Sequence, residues 1–209
     1  MNRIVPVLMA AFSATLLIAA PAKTAKPAEA TVPGAKMELP QAKANVEFLA
    51  IGKPSMLKIR GVAKPKDDKP TLDGQLKLAG GKVAAEAKLP LDTLETGIAL
   101  RDRHMKEKYL ETAKFPQAEF TMTELTLPEA LKAGEGTAKE VPFKGKLKIH
   151  GVEKEVAGTV DITLEKAKGA FDFQFKTKIT DYAISLPSFM GVTVAEEVQV
   201  TVGLEGPLS

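Results

Sequence analysis

Val141-Pro142-Phe143-Lys144-Gly145-Lys146-Leu147-Lys148-Ile149-His150-Gly151-Val152-Glu153-Lys154-Glu155-Val156-Ala157-Gly158-Thr159-Val160-Asp161-Ile162-Thr163-Leu164-Glu165 alternates apolar and polar residues almost without a fault. Successive side chains of a strand point to opposite faces, so a period of two marks half-buried β-structure. One face takes Val141, Phe143, Gly145, Leu147 and Ile149, while Lys144, Lys146, Lys148 and His150 take the other. In the second run Val156, Gly158, Val160, Ile162 and Leu164 oppose Ala157, Thr159, Asp161, Thr163 and Glu165. The Gly151-Val152-Glu153 step is short enough for a hairpin, which pairs the runs antiparallel. Outward from this pair the habit repeats: Phe171, Phe173, Phe175, Thr177 and Ile179 share a face, and so do Val198, Val200, Val202 and Leu204. Towards the start the runs are Val46 to Ala50, Leu57 to Gly61, Leu72 to Leu78 and Val83 to Leu91. Ala118, Phe120 and Met122 form a further run, after which Leu125 and Leu127 fall out of phase, and a bulge near Thr123 restores the register.

About eight or nine antiparallel strands with one apolar face each specify an all-β domain, either a closed barrel or two packed layers. A barrel of eight strands is only just wide enough to be filled by its own side chains or to hold one small ligand. Several inward positions are small, namely Ala50, Gly61, Gly74, Ala85, Ala87, Gly145 and Gly158, and Trp is absent. Such a mixture either leaves an elongated apolar void or fits the taper of a filled barrel.

Composition narrows the setting. Met1-Asn2-Arg3, an apolar run from Ile4 and Ala20-Pro21-Ala22 read as a signal peptide over residues 1–22. Pro6, Ser13 and Thr15 make the run poor as a spanning anchor. Residues 23–43 are rich in Ala, Lys and Pro and read as a flexible lead, which leaves 44–209 as the folded domain. With no Cys there is neither a disulfide framework nor a thiolate metal site. The net charge of +3 comes almost wholly from lysines scattered between apolar residues, the pattern of a solvated outer face and not of a nucleic-acid reader. The phosphate-loop, zinc-helix, nucleophile-elbow and dinucleotide patterns are missing.

One charged segment interrupts the strands: Leu94-Glu95-Thr96-Gly97-Ile98-Ala99-Leu100-Arg101-Asp102-Arg103-His104-Met105-Lys106-Glu107-Lys108-Tyr109-Leu110, followed by Phe115-Pro116. Met105 and Tyr109 stand at i, i+4, so a helix here presents one apolar stripe to a barrel end. Asp102 in the first turn suits the free N–H groups there, and Arg101 reaches a strand end. His104 and His150 lack partners at metal-ligand spacing. His150 alternates onto the polar face and is expected in solvent or at the rim, while His104 is placed to donate to a carbonyl or phosphate at a barrel mouth.

The Thr96-Gly97, Arg101-Asp102, His104-Met105 and Phe115-Pro116 pairs resemble the TG…RDxH(L/M)…(Y/F)P segment of the YceI-like family, secreted lipocalin-like proteins that bind isoprenoids. Gly145 to Lys154 fits a later block, and Asp181 to Ile184 with Pro187 to Gly191 fits a third, so the resemblance spans Ala44 to Pro207. It implies an antiparallel lipocalin-like barrel of about eight strands with a short helix after the fourth or fifth. It also implies a non-enzymatic protein, periplasmic or secreted, that carries or sequesters a polyprenyl lipid or isoprenoid quinone. No cofactor is required, and the partners are the long-chain isoprenoid and, transiently, a membrane surface. On this reading the lipid contacts are Phe48 and Leu76 early in the chain, Met105 and Tyr109 on the helix, and Phe120 and Met122 after it. Leu147 and Ile149, the triplet Phe171, Phe173 and Phe175, and then Ile184 and Phe189 complete the set. Arg101, Asp102 and His104 form the rim that meets a head group. The alternative is an envelope or stress-related structural or interaction protein with a filled barrel.

Overall fold

A computed structural model describes residues 34–54, 56–66, 70–189 and 191–209. The nine alternating runs become nine strands of seven to sixteen residues: β2 (Lys43–Lys53), β3 (Leu57–Ala63), β4 (Asp73–Ala79), β5 (Lys82–Pro90), β7 (Gln117–Glu124), β8 (Gly136–Ile149), β9 (Val152–Glu165), β10 (Lys168–Lys178) and β12 (Val192–Pro207). Three short strands that periodicity is too brief to mark bring the total to twelve: β1 (Ala35–Glu38), β6 (Leu94–Glu95) and β11 (Ser188–Phe189). The expected count of about eight is therefore too low. All pairings are antiparallel in one sheet, ordered β1-β4-β5-β7-β8-β9-β10-β12-β2-β3-β6, with β11 on β12. A single curled sheet replaces the two-layer alternative.

The sheet curls until β1, at one edge, meets the residues that follow β12. β1 pairs with β4 on one side, and on the other Lys36 N donates to Ser209 O at 2.8 Å while Ser209 N donates to Lys36 O at 2.9 Å. Among the described residues no ladder joins β3 to β4, so the barrel is closed at the pole of this seam and unzipped towards the other. This corrects the boundary set at residue 44. Residues 35–41 are wall, with Met37 and Leu39 fully buried, because four strand residues cannot show a period through neighbouring Pro and Lys. The signal peptide assigned to residues 1–22 and the lead up to residue 33 lie outside the described residues.

Local devices match the sheet's needs. Met122 pairs with Gly145 and Glu124 with Lys144, leaving Thr123 as the extra residue of a bulge, after which Leu125 and Leu127 turn inward. At the β8–β9 hairpin Ile149 faces Val152 across His150 (φ 52°) and Gly151 (φ 77°). Two left-handed residues give the turn whose twist matches the strands, and Gly carries the second without a Cβ penalty. Outside, lysines meet carboxylates on adjacent strands, as in Lys144–Glu124 at 2.8 Å, Lys146–Glu153 at 3.1 Å and Lys176–Glu197 at 2.9 Å. These pairs are about half exposed or more and worth only about 0–1 kcal/mol each. They favour the register more than they stabilise the fold.

The interior divides along the barrel axis. Towards the seam, Leu76, Leu78, Leu127, Leu131, Ile162, Leu164 and Phe171 are fully buried and fill the space between the walls. Towards the opposite pole the walls diverge around an empty volume. Helix α1 (Ala99–His104), the widened turn Met105–Tyr109 that continues it, and residues 110–116 run past that volume before β7 begins.

Candidate functional site: an apolar cavity with a braced rim

The cavity has a volume of about 570 Å³ and is open at one side. Its walls come from β2, β3, β5, β7, β8, β10 and β12, and its lining is aliphatic and aromatic apart from a few groups such as Glu47, Thr96, Arg101, His104, Glu119, Thr177 and Ser188. At roughly 30 Å³ per water-sized group, it holds on the order of twenty non-hydrogen atoms. That volume is within the usual range for small-molecule sites.

Aromatic rings shape it. Phe143 sits at the centre of an edge-to-face cluster, 5.3 Å from Phe173, 6.2 Å from Phe120 and 6.3 Å from Phe175. Of the two readings of the small inward residues, the glycines take the filled one: Gly61 and Gly145 seat aromatic rings, and Gly74 and Gly158 lie against the backbone of the paired strand. A Cβ on Gly61 would lie 2.2 Å from the Phe48 ring on the paired strand, and one on Gly145 would lie 2.5 Å from Phe120. The space comes instead from Ala50, Ala85 and Ala87, which line it from two strands, β2 and β5.

Of the residues expected to meet a lipid, Phe48, Met105, Tyr109, Phe120, Leu147, Ile149, Phe173, Phe175 and Ile184 line the cavity. Leu76, Met122 and Phe171 do not. They lie in the packed half, where Phe171 stacks on Phe173 at 6.3 Å and forms the layer beneath the cavity floor. Phe189 is placed only by its backbone, opposite Val192, and its side chain is outside the described set. Sequence reasoning passed over Phe143, although it shares the inward face of β8, and Leu57, Ile98 and Leu100, whose position at an opening no periodicity reports.

The rim triad divides as well. Asp102 accepts bonds from Thr96 N at 2.7 Å and from the Thr96 hydroxyl, so its carboxylate is turned onto the chain and not towards the cavity. It also fails to cap its own helix, whose first residues have no side-chain cap. Arg101 donates through Nε to Thr96 Oγ1 at 2.7 Å and through Nη2 to Thr96 O at 2.9 Å. Thr96 directly follows β6, so the Arg101-Asp102 pair ties the start of the helical segment to a strand end from both sides. Both residues are positioning groups. Arg101 and His104 line the cavity, and Asp102 does not.

His150 is not solvated. Its side chain is 13% exposed, with Nε2 2.8 Å from Glu111 Oε2, Nδ1 3.2 Å from Tyr182 O and its ring 4.4 Å from that of Phe115. The left-handed turn conformation tips the ring off the outer face of β8 and under residues 110–116. Lys114, 2.6 Å away, and then His150 hold the Glu111 carboxyl below the usual carboxylate range. The far end of the helical segment is thereby pinned to the β8–β9 hairpin. Beside it Tyr182 is fully buried, its hydroxyl 3.0 Å from Thr177 Oγ1, and burial pushes its phenol up from the ordinary value. Among the described residues no three His, Asp or Glu side chains are grouped to hold a metal, and no helix is long and apolar enough to cross a membrane.

Residues 38–206 match the model of the YceI-like domain. The protein YceI of Salmonella arizonae is 30% identical over 122 residues, which cover 55% of this chain and 58% of that protein, so the chain spans little more than half the length of the curated relatives it matches. Among solved structures, a polyisoprenoid binding domain from Saccharophagus degradans implicated in plant cell wall breakdown superposes with a TM-score of 0.59 at 18% identity. It covers 82% of this chain and 96% of that one. BcnA of Burkholderia cenocepacia gives 0.59 at 21% identity, covering 78% and 96%. At these identities the likeness establishes a shared barrel fold.

Proposed function

The chain belongs to the YceI-like family, and from that footing we propose that it binds one long, apolar isoprenoid, a polyprenyl lipid or the tail of an isoprenoid quinone, inside its barrel. The observation that carries the reading is the cavity of about 570 Å³ with an almost wholly apolar lining, in a chain whose other half is tightly filled. Each buried CH₂ contributes about 0.8 kcal/mol, so an apolar tail gains affinity unit by unit with few polar contacts. The volume bounds the buried part at about four five-carbon units on the estimate of roughly 30 Å³ per group. A longer chain would protrude through the mouth. That the Saccharophagus relative is a polyisoprenoid binding domain supports the same ligand class. The role is carriage or sequestration without turnover, in the compartment to which the basic start and the Ala20-Pro21-Ala22 site direct export.

Lipid extraction and mass analysis of protein purified from its own source tests this. Recovery of an intact isoprenoid supports it; a chemically modified product, or an empty barrel that also fails to take up a fluorescent polyprenyl analogue, overturns it. Phe173→Lys, shown folded by circular dichroism, should lose uptake because an unpaired ammonium in the cavity floor is costly. Unchanged uptake in that variant would remove the floor from the site.

A further inference from the structure

Large apolar side chains are exposed at only five described positions: Met56, Leu57, Ile98, Leu100 and Leu186. Three of them, Leu57 (49% exposed), Ile98 (53%) and Leu100 (43%), also line the cavity. A residue that both lines a cavity and stands half in solvent marks its mouth. The other two adjoin it. Met56 precedes Leu57 in the β2–β3 turn, and Leu186 precedes the cavity-lining Pro187, whose carbonyl accepts from Val194 N at 2.8 Å. Val194 in turn pairs with Gly52, and Gly52 with Leu57, so both turns lie side by side. Scattered single exposures are ordinary, but confinement of all five to one opening is not.

The surroundings are basic. Lys53 and Lys58 flank the β2–β3 turn and Arg103 stands three residues after Leu100, all three exposed and in no ion pair among the described residues. Lys106 and Lys108 follow, with Glu107 as the exposed acid between them. We propose that this apolar collar docks the cavity mouth on an anionic bilayer surface, the five side chains entering the interface while the lysines and arginine face the head groups. The inference rests on the lipid-binding reading, since an isoprenoid resides in membranes and must enter the barrel without crossing water. Apolar insertion with cationic flanks is the combination that holds a protein on an anionic surface.

The chain has no Trp, so Leu186→Trp supplies a single reporter. Its emission should shift to the blue with phosphatidylglycerol vesicles, and less so with phosphatidylcholine vesicles or at high salt. Met56→Glu with Leu186→Glu, at positions outside the cavity lining, should lower vesicle affinity at least tenfold in flotation while uptake of farnesol from solution stays unchanged. If wild type takes up farnesol yet ignores both kinds of vesicle, the docking proposal fails and the binding reading stands. If wild type floats with vesicles but takes up no isoprenoid, the binding reading fails. A double variant that floats like wild type overturns the collar. So does a collar that drives self-association, seen as a shift in sedimentation that the variant abolishes without any vesicle binding.

Discussion

Gly61→Ala and Gly145→Ala are the same chemical change under the same kind of ring, and the structure assigns them opposite consequences. A Cβ on Gly61 meets the Phe48 ring at 2.2 Å and no backbone atom is among its nearest neighbours. Carbon atoms rest about 3.5–4.0 Å apart, so the ring must retreat by roughly 1.5 Å. It has somewhere to go, because Phe48 lines the cavity. Stability should change by no more than about 1 kcal/mol, the overlap being relieved and the unfolded chain losing freedom. The displaced ring then takes space for one or two methylene groups, an upper bound of about 1–2 kcal/mol of tail burial. A loss of affinity of roughly threefold to tenfold is expected. On Gly145 the Cβ meets Phe120 at 2.5 Å and also the Thr121 carbonyl oxygen at 2.9 Å, which belongs to the β7–β8 ladder and cannot rotate away. Overpacking of about 1–3 kcal/mol, or roughly 2–12 °C in melting temperature, should follow. Thermal unfolding by circular dichroism and titration with a fluorescent polyprenyl analogue read both quantities. Equal affinity for wild type and folded Gly61→Ala would refute the claim that the Phe48 ring and the ligand compete for one volume.

Phe171→Ala should cost about 3–5 kcal/mol, since the ring is fully buried beneath the floor, yet leave analogue affinity within about threefold at a temperature where the variant is folded; a large affinity loss would place Phe171 in the site after all. Asp102→Ala removes the acceptor that Thr96 uses twice, costs roughly 1–3 kcal/mol, and should speed transfer of the analogue to vesicles in rapid mixing, an unchanged rate showing that the brace does not gate. Glu111 is held below the usual carboxylate range by Lys114 and His150, so its contribution is present above the ordinary carboxylate value and lost as pH falls through the lowered one. The melting-temperature gap between wild type and Glu111→Gln should hold above about pH 5 and close in stronger acid; a gap unchanged down to pH 2 would mean that the pinning is not ionic.

Periodicity reports which face a side chain takes and nothing about how far along the barrel it lies. Phe171, Phe173 and Phe175 share a face as the alternation requires, yet one packs beneath the floor, one forms it and one stands in the wall. That depth is set by the stagger of neighbouring strands, which belongs to pairs of strands and not to any one of them. The Thr123 bulge was legible because a phase slip is local, whereas β1 was not, because four residues cannot display a period beside Pro33 and Pro40. His150 reads as an outer-face residue until its left-handed turn conformation is known, since strand alternation stops applying inside a turn. The Arg101-Asp102 pair was recognisable as a brace, but its partner, Thr96, lies behind the helix and not within it, and helix-capping rules look only at the helix.

The seam between Lys36 and Ser209 joins residues 173 positions apart, while β8, β9 and β10 are joined by tight turns. Short loops close at little entropic cost and distant contacts form late. The β8–β9–β10 meander is therefore expected to assemble early and the seam last, so that during synthesis the nascent chain holds an uncurled apolar sheet until the residues after β12 have emerged. In native-state hydrogen exchange the Lys36 and Ser209 amides should open well before those of Val160 or Ile162. The stretch of chain most easily trimmed from the family's core motifs is, on this account, the latch that lets the barrel finish folding.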